Sequence, residues 1–179
     1  MKLVYRLLIY IPLFIISAYA FTLLHECGHA IAAILTGNGV EAIELYIDGG
    51  GLCRVIWDNY EGGAGVVYIA GSLSTLLVCV PLFIYSLWKK KPLVLYVLFV
   101  QIIKELHYWA TSPARKWGDA HLTIEWAGFY EYNGIIDTVY SASICSWVAI
   151  VLVIVLFIYL FYRLFKNLYE KRYYDLYGR

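Results

Sequence analysis

Three runs of this chain carry no charged residue: 7–24, 65–88 and 138–162, which are 18, 24 and 25 residues long. About 20 apolar residues span the hydrocarbon layer of a membrane as a helix. Runs of this length cannot all be buried inside a small soluble core. Only 15% of the residues are charged, against roughly a quarter in an ordinary soluble domain. Together these features exclude a soluble globule, a disordered chain and a nucleic-acid-binding domain. Fourteen basic and thirteen acidic residues leave a net charge of +1, so bulk charge points to no polyanionic partner. Cys27, Cys53, Cys79 and Cys145 are widely spaced with no Cys-x-x-Cys pair, which argues against a disulfide framework and a cysteine zinc cluster.

The expected fold class is an all-α polytopic membrane protein, with about four transmembrane helices and a small β-hairpin between helices 1 and 2. The expected helices cover about 4–35, 64–88, 93–111 and 136–165, the hairpin about 40–57, and a single domain residues 1–179. Lys2 and Arg6 before an apolar run resemble a signal peptide. The run is too long for that, and a polar motif follows in the same helical stretch, so a retained membrane helix is expected. Pro12 predicts a kink or the start of the buried part. Gly37-Asn38-Gly39 predicts its end. Val40 to Ile47 is rich in strand formers with imperfect alternation, Asp48-Gly49-Gly50-Gly51 signals a turn, and Leu52 to Trp57 resumes an extended pattern. Residues 112–136 read as a polar connecting segment. Lys2 and Arg6, Lys89 to Lys91, and Arg163, Lys166, Lys171 and Arg172 all fall on one side of a four-helix threading. The positive-inside rule then predicts cytoplasmic termini. Tyr159, Tyr162, Tyr169, Tyr173 and Tyr174 predict an interfacial aromatic belt, and the neighbouring basic residues a charge anchor on an anionic leaflet.

His25-Glu26-Cys27-Gly28-His29 is the pattern that carries chemistry. At 100° per residue, two histidines four apart differ by about 40° and share one helix face. Two neutral imidazoles there can bind one Zn²⁺. Glu26, about 60° from His29, borders the same face. A carboxylate in that place can take a proton from water and return it to a leaving amine. Cys27 points elsewhere on the wheel. Chance produces such a motif in a chain of this composition with a probability of about 0.4%. Histidine and glutamate are also costly inside a membrane helix and usually mark function there. The competing reading is a set of interfacial polar residues at a helix end.

A catalytic zinc takes three protein ligands and keeps one position open. Threading brings the end of helix 3 and the segment after it to the motif's side of the membrane. Asp119, Glu105, His107, His121 and Asp137 all lie there, and the residues alone leave the choice open. His107 is an alternative ligand, a group that steadies the oxyanion, or an interfacial residue beyond the end of helix 3. Glu105 pairs with Lys104, holds a ligand imidazole from behind, or sits in the interface beyond the end of helix 3. His121 reads as a surface residue. The small-x-x-x-small spacings of Gly28 with Ala32 and Gly71 with Thr75 predict close helix packing. The hairpin reads either as a passive lid or as an exposed strand edge that binds an unwound substrate segment.

His25 to Ala33 followed by Leu35-Thr36-Gly37 resembles the signature helix of site-2-protease-type intramembrane zinc metalloproteases, the M50 group. Ala70-Gly71-Ser72-Leu73-Ser74 is similar to that family's small-residue stretch in the second helix. Family members take a third ligand from the aspartate of a late Asn-x-x-Pro-x-x-x-Leu-Asp-Gly segment. Ser112-Pro113 and Gly118-Asp119-Ala120 occupy the comparable place: the aspartate and an upstream proline match, while the asparagine, leucine and final glycine do not. The similarity covers about residues 20–80 and, more loosely, 105–125. It implies His25, His29 and Asp119 as ligands to one Zn²⁺, Glu26 as the catalytic acid–base, and a membrane-anchored protein as substrate, in the lipid bilayer. A catalytically inactive relative that binds zinc or grips transmembrane segments is the competing expectation, followed by a different membrane zinc enzyme.

Overall fold

The computed structural model describes residues 2–89, 91–116 and 118–177. The side chains of 2–10, 92, 115, 164–165 and 168–177 lie outside that description. With them lie the expected anchors Lys2, Arg6, Lys171 and Arg172 and the belt residues Tyr169, Tyr173 and Tyr174, and Lys90 and Trp117 are outside it entirely.

Helix α1 runs Lys2–Leu35 and continues through Pro12. It closes in a six-to-one turn, the Asn38 N–H donating to the Ala33 carbonyl at 2.8 Å. Strands β1 (Gly39–Leu45) and β2 (Gly51–Ile56) pair antiparallel, from Gly39 opposite Ile56 to Leu45 opposite Gly51. A bulge between Val40 and Ala42 shifts the register, which is why alternation in the sequence is imperfect there. The turn is held by the Asp48 carboxylate, which accepts the Gly50 N–H at 2.9 Å.

Helix α2 spans Tyr60–Trp88 and starts four residues earlier than expected. Asn59 caps it, its side chain accepting the Gly62 N–H at 3.2 Å. Gly62, Gly63 and Gly65 lie inside the helix, with neighbouring groups filling the space where side chains would be. A Cβ on Gly65 would stand 2.8 Å from ring atoms of Trp126. Helix α3 spans Pro92–Arg115 and carries Pro113 in its last turn, so it outlasts the expected end at Thr111. The segment 112–136 is not a plain connection. It contains helix α4, Asp119–Phe129. Helix α5, Asn133–Tyr177, is 45 residues long and overruns its expected bounds at both ends.

Among the described residues four helices are long and apolar enough to cross a membrane: Ile11–Leu35 of α1, α2, Leu93–Ala114 of α3 and Asn133–Arg163 of α5. They pack in the order α1, α2, α3, α5. Gly28 of α1 lies against α2, where a Cβ would stand 2.5 Å from the Ala70 carbonyl. Cys79 and Phe83 of α2 form a buried cluster with Leu95, Leu98 and Ile102 of α3. Phe99 of α3 stacks on Phe157 of α5 with ring centroids 3.9 Å apart. The hairpin and the start of α2 follow directly on α1, and the two crossings by α2 and α3 bring the end of α3 and all of α4 back to the same end of the bundle. The end of α1 that carries His25 and His29 is there too.

Candidate metal centre

Helix periodicity puts His25 and His29 on the face of α1 that looks into this polar end. Their rings meet edge to face at 4.8 Å. Asp119 arrives from the opposite side of the cleft. Its Oδ2 lies 3.1 Å from His25 Nε2 and 3.5 Å from His29 Nε2, across a sequence separation of 94 residues from His25. Gly118 makes this approach possible. It sits at φ +86°, a conformation that a residue with a Cβ resists, and it turns the chain from α3 into α4. Asp119 thereby becomes the first residue of α4, where the helix dipole favours a carboxylate. Burial alone would raise the pKa of Asp119. Hydrogen bonds from His25 and His29 outweigh it and hold the carboxyl down at about 2.

Each imidazole is held from behind. His29 Nδ1 lies 2.6 Å from the Val67 carbonyl of α2. His25 Nδ1 lies 3.4 Å from Glu105 Oε2 of α3. Both rings turn Nε2 toward Asp119, and with each Nδ1 hydrogen held by its acceptor, the Nε2 proton is the one that a metal shared with Asp119 would displace. Gly71 of α2 lies directly under the pair. A Cβ there would run into His29 Nε2 and stand 2.6 Å from His25 Nε2. The expectation of simple helix packing at Gly71 is thus replaced by a sharper one: the missing side chain is the floor of the cluster.

Glu26 is 6% exposed and points to the hairpin side of α1. A Cβ on Gly51 would stand 2.8 Å from its Oε1, and the backbone amide of Cys53 faces its carboxylate. Tyr19 and Thr22, on the same flank of α1, secure the turn of the hairpin. The Tyr19 hydroxyl donates to the Ile47 carbonyl at 2.6 Å and the Thr22 hydroxyl to the Gly49 carbonyl at 2.8 Å. The result is a cavity of about 330 Å³ whose walls include His25, Glu26, His29 and Asp119, with Cys53 and Val55 of β2 opposite. That volume is within the usual range of ligand pockets, about 300–1,000 Å³.

The other candidates from the sequence are not brought together here. His107 is on the far side of α3, its ring 6.2 Å from that of Trp147 on α5. His121 Nε2 lies 3.1 Å from Glu125 within α4. Asp137 is exposed near the start of α5, and Cys27 is not in the cluster. Glu105 is not an interfacial residue. It is 3% exposed, on a helix that continues ten residues beyond it, and among the described residues no ion pair joins it to Lys104.

The Peptidase M50B-like family profile matches residues 3–173, nearly the whole chain. This chain belongs to the Peptidase M50B-like family. Neither a curated protein nor a solved structure gives a significant match. Family membership and four membrane-length apolar helices make it an integral membrane protein of a peptidase family.

The cluster of this family member also fits a metal on its own chemistry. Two imidazoles and one carboxylate are borderline-soft and hard donors of the kind zinc accepts. One ligand atom from each residue lies within 4.8 Å of the others. Tetrahedral zinc with ligands at about 2.0–2.2 Å separates ligand atoms by about 3.3–3.6 Å. The two imidazole–carboxylate distances, 3.1 and 3.5 Å, are close to that requirement.

Proposed function

We propose that this chain is an intramembrane zinc-dependent endopeptidase that hydrolyses peptide bonds of membrane-anchored protein substrates. The observation that carries the reading is the convergence of His25, His29 and Asp119 beside the buried carboxylate of Glu26 in one cavity. His25 and His29 through Nε2, and Asp119 through its carboxylate, would hold one Zn²⁺. When bound, the ion supplies Lewis-acid polarisation of the scissile carbonyl and acidifies water. Glu26 accepts the proton of the attacking water and later delivers it to the leaving amine. Burial under the hairpin keeps Glu26 in a single orientation for both transfers.

A transmembrane substrate is helical, so its scissile bond is shielded until it unwinds. The hairpin supports a way of holding the unwound segment. Among the described residues the sheet has two strands and β2 pairs with β1 alone, and β2 lines the cavity at Gly51, Cys53 and Val55. An extended segment laid along the open edge of β2 would gain backbone hydrogen bonds there. The basic clusters that flank the spans support cytoplasmic termini, which sets the cavity toward the opposite face of the membrane.

The test is cleavage of a transmembrane reporter by the reconstituted protein and by its Glu26→Gln variant. General acid–base catalysis is worth about 10²–10⁴-fold, and the variant is expected to lose at least that much. Equal turnover by the two proteins would sink the assignment.

A further inference from the structure

A carboxylate at membrane depth is expensive unless something pairs with it. Glu105 is such a group. It sits in the third membrane-crossing helix and is 3% exposed. Glu26 is tied to the hairpin and Asp119 to the ligand cluster, but Glu105 enters neither the ligand set nor the proton transfers. Its place in the fold therefore needs its own explanation.

The geometry supplies one. Oε2 of Glu105 lies 3.4 Å from Nδ1 of His25, the ring nitrogen that faces away from Asp119. The polar residues of α3 are not scattered. Gln101, Glu105, Tyr108 and Ser112 are spaced by four, three and four, which puts them on one helix face. Three of them, Gln101, Glu105 and Ser112, are no more than 5% exposed. Gln101 brings a buried amide nitrogen without a hydrogen-bond partner to this face, one turn from Glu105. Lys104 and His107 are exposed: His107 faces Trp147 of α5, and Lys104 lines the cavity that His25, Glu26 and Glu105 also border, with no ion pair to Glu105 among the described residues. The face of α3 turned to the cluster is therefore a polar stripe in an otherwise apolar helix, and His25 meets it at Glu105.

The two histidines are also held unequally. His29 rests on a neutral backbone carbonyl, which any residue at Val67 would supply. His25 has only a side chain behind it. A histidine in a metal site donates its second ring N–H to an acceptor that fixes the tautomer and the ring plane.

We propose that Glu105 is the positioning residue for His25, accepting its Nδ1–H so that the unprotonated Nε2 is turned to the metal cluster. The inference rests on the zinc-centre reading above and adds a fifth residue to His25, His29, Asp119 and Glu26, one that touches neither metal nor substrate.

The test compares wild type, Glu105→Met and Glu105→Gln as full chains in detergent micelles. Methionine keeps the length of the side chain without an acceptor, and glutamine keeps an acceptor oxygen without the charge. Zinc affinity is read by competition with a chromogenic chelator, and the visible spectrum of the cobalt-loaded protein reports ligand geometry. Loss of such an outer partner typically weakens metal binding by about 10- to 100-fold, which is the expectation for Glu105→Met, with a shifted cobalt spectrum. Glu105→Gln should recover most of the affinity and the wild-type spectrum. Metal-free Glu105→Met should stay folded with at most a modest drop in melting temperature, because the His25 Nδ1–H loses its acceptor. Wild-type zinc affinity in Glu105→Met overturns the proposal, as does equal loss in both variants. A collapse of the metal-free fold also overturns it, since the role would then be structural. A wild type that retains no zinc brings down the zinc-centre reading itself, an outcome distinct from all three.

Discussion

The two ends of the helical bundle are built from different materials. At one end, α1, the hairpin, α2, α3 and α4 meet through small residues, backbone approaches and polar side chains. Gly28 lies on the Ala70 carbonyl, Gly65 under Trp126 and Gly71 under two imidazoles. At the other end, Cys79, Phe83, Leu95, Leu98 and Ile102 fill the space between α2 and α3, and α5 adds the Phe157 ring. Lipid is as apolar as these side chains, so burying them there gains little transfer energy and leaves packing as the main term. The apolar end holds helices side by side. The polar end sets atoms within tenths of an ångström, and that is where chemistry is expected.

This contrast makes graded predictions. The largest effect belongs to Asp119→Ala. Zinc sites in folded peptides are worth about 10–16 kcal/mol, so one ligand's share implies a loss of affinity of roughly 10²-fold or more. Metal analysis after purification reads it, and full zinc in the variant would erase the distinction between the ends. Next comes Gly71→Val, which places a side chain against both Nε2 atoms. Overpacking costs about 1–3 kcal/mol, or about 5- to 150-fold in zinc affinity if the imidazoles are what yields. A competition titration measures it. At the apolar end, Leu98→Ala should lower the unfolding free energy in micelles by about 1–2 kcal/mol. That is less than the roughly 2–5 kcal/mol of an aqueous core, because the transfer term is largely missing. Turnover per folded molecule should not change. The smallest effect is expected from Phe157→Ala, which removes a stacked pair worth about 0.5–1.5 kcal/mol. A thermal melt checks it, again with zinc binding intact. If either apolar variant lost zinc, the two ends would not be separable.

How much of this was legible in the sequence follows the same division. The four spans and the hairpin were readable because charge-free length and a glycine-rich turn are local signals. His25 and His29 were readable because a spacing of four is a helical face. Asp119 was reachable only through the side of the membrane it falls on, together with the resemblance of its segment to a family motif. Helix α4 was not legible. Its apolar positions face α2, α3 and α5 in turn, so no single stripe stands out, and Gly118 and Gly128 at its ends read as loop. The first turn of α2 was missed for a related reason: Gly63 is explained by Thr36 and Asn38, 27 and 25 positions away, and no local rule carries that information. Glu105 stayed ambiguous because its partner, His25, comes from another helix, and burial decides between interface and support only once α3 is known to run to Arg115.

The central claim is that His25, His29 and Asp119 bind one metal ion between α1 and α4. Anomalous diffraction at the zinc edge, on crystals of the protein purified without added chelator, tests it most directly. The account predicts one peak per chain, about 2.0–2.2 Å from His25 Nε2, His29 Nε2 and the Asp119 carboxylate. A peak coordinated by His107, Cys27 or Cys53 instead of Asp119, or no peak at this cluster in zinc-replete crystals, would contradict it.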